Sequence, residues 1–194
     1  MYEAHATFFM VGQNVTNYPE EVQRMVRLGC QIGNHSWDHA DLNTLSREEL
    51  AWEFDMTDQA LLECCGREPE VLRASYGAYT DDVLAVGARP FFMWSLDSLD
   101  WSYRDAQLDY QEIMEKGYLS DGSIVLMHDI HEPSVDCACR IIRELTESGW
   151  RLLTVSELAE AKGVTLLPGV SYTDFWDSSL SSGMVPGYAG EAAL

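Results

Sequence analysis

Short apolar runs alternate along this chain with longer stretches whose apolar residues recur every three or four positions, the pattern of strands followed by amphipathic helices. Ala6-Thr7-Phe8-Phe9-Met10-Val11 reads as a buried strand. Pro19-Glu20-Glu21 opens a helix, with proline early and acid in the first turn, and Gly29 stops it. Gln31 to Asn34 is a short strand. Ser46 with Glu49 forms a capping box; the helix it opens carries Leu50, Phe54, Thr57 and Leu61 on one face and ends at Gly66. Val71-Leu72-Arg73 is the next strand, Thr80-Asp81-Asp82 starts a short helix, and Pro90 to Trp94 is another strand. Gln107 to Lys116 is a weaker helix ending at Gly117, and Ser123 to Met127 is a strong strand. Val135, Ala138, Ile141, Ile142 and Leu145 line a helix that stops at Gly149; Trp150 to Leu153 is a last strand and Ser156 to Lys162 a last helix.

Repeated strand–helix units predict an α/β fold around a parallel sheet, open or closed into a barrel. The length suits one domain, taken as residues 1–176; from Asp177 to Leu194 the chain is rich in Ser, Gly and Ala and reads as a loose tail. The order of elements puts the distinctive polar residues just past strand C-terminal ends. His35 and His39 follow one strand, Arg73 and Tyr76 the next, Asp97 and Asp100 another, and His128 another. In a barrel of parallel strands, an active site is assembled at that rim.

There are 32 acidic and 12 basic residues, a net charge of −20, which argues against nucleic acid or an anionic membrane surface as partner. A neutral polymer fits better as substrate than an anionic one. The five cysteines, with Cys64 beside Cys65 and Cys137 close to Cys139, do not form a disulfide framework and read as incidental thiols. No stretch approaches the length of a membrane span, and no export signal is visible at the N-terminus.

Only five histidines occur, and two stand four apart in Asn34-His35-Ser36-Trp37-Asp38-His39. One turn of chain can aim both imidazoles at a single ion; the plainer alternative is a polar turn with two solvated rings. His128 ends the apolar run Ile124-Val125-Leu126-Met127. A carboxylate beside such an imidazole fixes its tautomer and favours its protonated form. Asp97 reads as a turn cap and Trp37, Trp52 and Trp94 as packing residues; Tyr103 and Tyr110 could stack on a sugar.

Taken together, these residues resemble the polysaccharide deacetylases, carbohydrate esterase family four. His35-Ser36-Trp37-Asp38-His39 matches the family's metal-binding motif, and Arg73-Ala74-Ser75-Tyr76-Gly77 is similar to its third motif, which usually has Pro where Ser75 stands. Asp97-Ser98-Leu99-Asp100-Trp101 matches the fourth and Leu126-Met127-His128-Asp129 the fifth. The resemblance implies a distorted TIM-like (β/α)7 barrel and a hydrolase that removes N-acetyl groups from N-acetylglucosamine polymers of the peptidoglycan or chitin type. His35 and His39 would bind a divalent metal, usually zinc, with cobalt or another transition metal as alternatives. His128 would be the general acid, held and tuned by Asp100. The Tyr76 backbone N–H would help stabilise the oxyanion, Leu126 and Trp101 would wall the acetyl pocket, and Arg73 would pair with the family's catalytic aspartate. The implied partner is an N-acetylated glycan, and the implied place of an intact parent is outside the cell or in its envelope.

The family's first motif, Thr-Phe-Asp-Asp-Gly-Pro, supplies the catalytic base and a third metal ligand, and is absent from this sequence. The expectation is therefore an N-terminally incomplete barrel without its first strand and helix, a weakly held metal, and an Arg73 without its partner. Glu3 and His5 are not placed to replace the lost carboxylates. Two other readings follow: a non-catalytic carbohydrate-binding remnant, and a metal hydrolase acting on a different amide.

Overall fold

A computed structural model describes residues 3–176 and 190–193. In chain order the elements are β1 (Thr7–Met10), α1 (Gly12–Asn17), α2 (Pro19–Arg27), β2 (Gln31–Asn34), α3 (Arg47–Cys65), α4 (Asp81–Gly87), β3 (Phe91–Phe92) and β4 (Leu96–Asp97). There follow α5 (Asp100–Tyr103), α6 (Ala106–Tyr110), β5 (Ser123–Leu126), α7 (Glu132–Glu147), β6 (Trp150–Leu153), α8 (Val155–Ala161), β7 (Ser171–Tyr172) and β8 (Gly190–Ala193). They divide into two compact units. The first is Thr7–Met93 with Thr165–Tyr172, and the second comprises the described parts of Met1–Ala6, Trp94–Val164 and Thr173–Leu194.

In the first unit, β1 and β2 pair in parallel from Thr7↔Gln31 to Met10↔Asn34, and β3 pairs in parallel with β7. Leu72 links the two pairs through single parallel bridges to Asn34 and Phe91. The strand expected at Val71–Arg73 is thus reduced to one bridging residue. The chain leaves the ladder there for a 3-10 turn over Ser75–Gly77, in which Tyr76 is left-handed at φ 58°. Helix α2 carries Glu20 and Glu21 in its first turn and Arg24 and Arg27 in its last, each complementing the helix dipole. The capping box of Ser46 and Glu49 opens α3, and Gly66 closes it at φ 70°. Leu50 and Phe54 of α3 pack on Leu72, Val83 and Phe91, while Ala60 and Leu61 pack on Val15, Val22 and Ile32. Each of these Leu, Phe, Ile and Val side chains contributes about 1.5–3 kcal/mol by leaving water.

Helix α1 carries no sequence signal. It has no side-chain cap, and Asn14, Thr16 and Asn17 are poor helix formers. Tertiary bonds start it instead: Gly12 N donates to Ser36 O and Gln13 N to Trp37 O, both at 3.0 Å. Gly12 is required there, since a Cβ would fall 2.4 Å from the Trp37 ring.

The second unit is built on a parallel sheet in the order β4-β5-β8-β6, with Ala4 bridged to Leu152 beside β6. All four residues of β5 are buried, as its continuous apolar run requires for a central strand. Gly190–Ala193, inside the stretch read as a tail, form β8; residues 177–189 lie outside the described residues. Ile141 and Leu145 of α7 pack with Val125, Leu152, Ala192 and Tyr110. Helix α8 is capped by Thr154 with Glu157 and starts at Val155, one residue before the start expected at Ser156. His5 hydrogen-bonds Glu157 at 2.9 Å, so its part is structural.

All five cysteines are free. Burial, with the nearby Asp109 and Asp100 charges, pushes the Cys137 thiol up to about 12 and leaves it inert.

Asp109 of α6 is fully buried, and neither carboxylate oxygen hydrogen-bonds among the described residues. Burial first, then the charges of Asp100 and Asp105, hold this carboxyl above its ordinary range. The folded state therefore keeps the Asp109 proton longer than the unfolded chain does, and stability is lost as pH rises through the raised pKa. Asp109→Asn, of the same shape but never charged, is expected to gain about 1–2 kcal/mol over wild type at pH 8 in urea unfolding. The gain should shrink as pH falls through the raised pKa, because the wild-type carboxyl is then neutral too.

Candidate functional site

The expected site residues fall into two clusters, one in each unit. In the first unit, β2 ends at Asn34 and the chain turns through His35–His39, with Ser36 at φ 64° and His39 at φ 67°. Ser36 is fully buried and its neighbours His35, Trp37 and His39 are half-buried, so the backbone groups withdrawn from water here need protein partners. Asn34, itself fully buried, accepts from Ser36 N at 2.9 Å and donates to Phe54 O and to the Asp58 carboxylate. Asp58 also pairs with Arg89 at 2.7 Å. Glu53 of α3 accepts from Trp37 N at 2.7 Å and Asp38 N at 3.4 Å. Ser36 Oγ accepts from His39 N at 3.0 Å and lies 3.1 Å from Ser75 Oγ.

These bonds bring the His35 and His39 rings edge to face, with centroids 4.9 Å apart. His35 Nδ1 is 2.7 Å from Arg73 O. A carbonyl only accepts, so the proton sits on Nδ1 and the lone pair of the neutral ring is on Nε2. A carbonyl that fixes the tautomer in this way is the usual outer support of a metal-ligating histidine. The Tyr76 ring packs edge to face on His39 at 4.5 Å, although Tyr76 is 69% exposed overall. Two imidazole nitrogens on one short turn suit zinc or cobalt. Among the described residues no group of three or more His, Cys, Asp or Glu gathers to hold an ion.

Arg73 corrects the expectation of an unpartnered charge. Its guanidinium donates from Nε to Phe92 O at 2.8 Å and from Nη2 to Met93 O at 3.0 Å, and lies 4.2 Å over the Phe9 ring. Burial lowers its pKa to about 9, so it stays charged at neutral pH.

In the second unit, β4 ends at Asp97, whose carboxylate accepts from Leu99 N at 2.8 Å and so caps a turn, as expected. The turn places Asp100 at the first position of α5, fully buried. Asp100 Oδ1 accepts from His128 Nδ1 at 2.7 Å and from Trp101 N at 2.9 Å, and Oδ2 accepts from His128 N at 2.6 Å. Burial alone would push this carboxyl up; the bonds from the His128 ring and backbone outweigh it and hold it below the usual carboxylate range. The Nδ1 proton of His128 is thereby committed to Asp100, and Nε2 is the nitrogen left to exchange a proton. Trp101 is 53% exposed and is no core residue, whereas Leu126 is buried. Tyr110 is not available to a sugar, because Arg140 lies 3.4 Å over its ring and its hydroxyl donates to Glu144 at 2.5 Å. Tyr103 is partly exposed and donates to Glu112.

The polysaccharide deacetylase profile matches residues 1–89. The solved structure of the peptidoglycan deacetylase PdaC of Bacillus subtilis superposes with a TM-score of 0.81 at 36% identity, covering 84% of this chain and 79% of that one. This chain belongs to the polysaccharide deacetylase family. A second family member, the peptidoglycan-N-acetylglucosamine deacetylase PgdA of Listeria monocytogenes, is 34% identical over 92% of this chain. A family 4 acetyl xylan esterase from Clostridium thermocellum, solved with a cobalt ion, has a TM-score of 0.82 at 26% identity, covering 89% of this chain and 86% of that one. The chain spans 34% and 37% of the lengths of PdaC and PgdA.

Glu53, Asn34, Ser36 and Ser75 support the deacetylase-family motif residues, yet the motifs do not mark them as supports. Glu53 alone had a legible signal: it sits three residues after Leu50 and four before Thr57, an acid on the apolar face of α3. The depressed Asp100 pKa gives stability that is present above the unfolded-state value of about 4 and is lost as pH falls through the folded one. Asp100→Asn is expected to cost about 2–3 kcal/mol at pH 7, because an amide cannot accept all three N–H bonds. In denaturant unfolding across pH 2–7, the wild-type advantage should shrink on the acid side.

Proposed function

We propose that this protein is a metal-dependent hydrolase that removes acetyl groups from the amino sugars of N-acetylglucosamine polymers of the peptidoglycan or chitin type. The observation that carries the reading is the His35–His39 pair, with the His35 tautomer set by Arg73 O and the rings 4.9 Å apart. In this reading His35 and His39 hold a divalent cation, zinc or cobalt, which when bound supplies Lewis acidity and lowers the pKa of water. Two imidazoles hold it less tightly than the three ligands usual in hydrolytic zinc sites.

His128 protonates the departing amine from Nε2, while Asp100 keeps Nδ1–H in place throughout the transfer. The Tyr76 backbone N–H donates to the oxyanion. Arg73, immobilised by two carbonyls, presents fixed positive charge. Leu126 and Trp101 give the acetyl methyl group an apolar wall. Envelope glycan is the substrate class that PdaC and PgdA, both peptidoglycan deacetylases by name, support. By that support the protein works at the cell envelope.

The test is acetate release from N-acetylglucosamine oligomers and from peptidoglycan, with chelator-stripped protein resupplied with zinc or cobalt. Release is expected, with His128→Asn lowering kcat by about a hundredfold or more. His35→Ala and His39→Ala should each lose both metal binding and turnover. A metal-loaded wild-type protein that frees no acetate from either glycan would sink the deacetylase reading.

A further inference from the structure

Ser75 and Ser36 are both fully buried, and their hydroxyl oxygens lie 3.1 Å apart. Among the described residues Ser75 Oγ has no other hydrogen-bond partner. Ser36 Oγ has one other, His39 N, at 3.0 Å. The chain of contacts runs from Ser75 on the Arg73–Gly77 turn, through Ser36, to the backbone of His39. A serine hydroxyl rotates among three staggered positions, and a single N–H donor fixes it only loosely. A second partner at Ser75 selects the rotamer in which Ser36 Oγ meets His39 N. His39 needs that support, because a non-glycine residue at φ 67° costs energy that surrounding contacts must offset.

The same turn touches the histidine pair at two further points. Arg73 O receives the His35 Nδ1 proton, and the Tyr76 ring packs on His39. Ser75 lies between those two residues. Its hydroxyl reaches the His39 backbone through one intermediary, Ser36.

We propose that the Ser75 hydroxyl is a positioning group for His39, acting through Ser36, and that it thereby sets the affinity of the histidine pair for a divalent cation such as zinc. This rests on the metal-binding reading of His35 and His39. Removing the hydroxyl leaves every ligand atom in place but frees the Ser36 rotamer and loosens the left-handed turn. Outer supports of this kind typically govern metal affinity by tenfold or more, and one acting through an intermediary governs less.

The experiment is zinc titration against a chromogenic chelator, with thermal melting of the same samples, for wild type, Ser75→Ala, Ser36→Ala and the double variant. Ser75→Ala is expected to raise the zinc Kd by about three- to tenfold. In the Ser36→Ala background the same change should raise it no further, because the intermediary is gone. A merely structural serine would lower the melting temperature and leave the zinc Kd where it was; that result overturns the proposal. Equal fold-losses in both backgrounds overturn it as well. Ser75→Cys, close in size but a weak hydrogen-bonder, is expected to reproduce the loss if the alanine variant does not fold. A wild-type protein that takes up no zinc overturns the histidine-pair reading and this inference together; normal uptake with unaffected variants overturns this inference alone.

Discussion

Backbone N–H and C=O groups withdrawn from water have to find protein partners, and that requirement shapes the partly buried, histidine-bearing turn that follows β2. Asn34, Glu53 and Ser36 answer it with side-chain oxygens, and Gly12 and Gln13 answer it with the first amides of α1. Helix α1 in turn exists because Ser36 O and Trp37 O terminate its otherwise unsatisfied amides. Loop and helix are each other's cap. Truncating Glu53 would take the acceptor from two amides of the turn at once, Trp37 N and Asp38 N, so an acid outside the histidine motif becomes part of what holds the imidazoles in place.

The second unit solves a related problem with one carboxylate. Asp100 has no exposed surface, yet it stays ionised because three N–H donors converge on it. Those donors come from its own helix start and from His128, so the charge ties the end of β4 to the end of β5. Asp109, on the neighbouring helix, has the same burial without the donors. The contrast shows how local the rule is: burial pushes both aspartates up, the N–H donors around Asp100 pull it below its usual range, and the neighbouring charges of Asp100 and Asp105 raise Asp109 further.

Much of this was legible from residue order. The capping box at Ser46, the proline start of α2 and the apolar run of β5 are local signals, and each element formed where its signal lies. The His35–His39 spacing was readable directly and the Asp100–His128 pairing was implied by motif resemblance; the two rings of the first pair lie 4.9 Å apart, and the second pair is hydrogen-bonded. What local signals could not carry were features created by distant chain. Helix α1 depends on carbonyls beyond β2, and Leu72 is a single bridge because the following turn is pulled toward His35. Arg73 is held by backbone carbonyls at Phe92 and Met93, and Tyr110 is covered by an arginine from α7. A sequence pattern reports which face a residue occupies, not which remote group will meet it there.

The position of β8 has a consequence for the order of assembly. It lies between β5 and β6, which precede it in the chain, and pairs with both. During synthesis β5 and β6 are both made before the segment that comes to separate them. Until then the two strands have open edges facing each other, with a gap one strand wide. The first unit, by contrast, draws most of its chain from the single run Thr7–Met93 and adds only Thr165–Tyr172 later, with the strand beside β3. It can consolidate early, while the second unit waits on its longest-range contacts and folds at the slower pace such topology imposes.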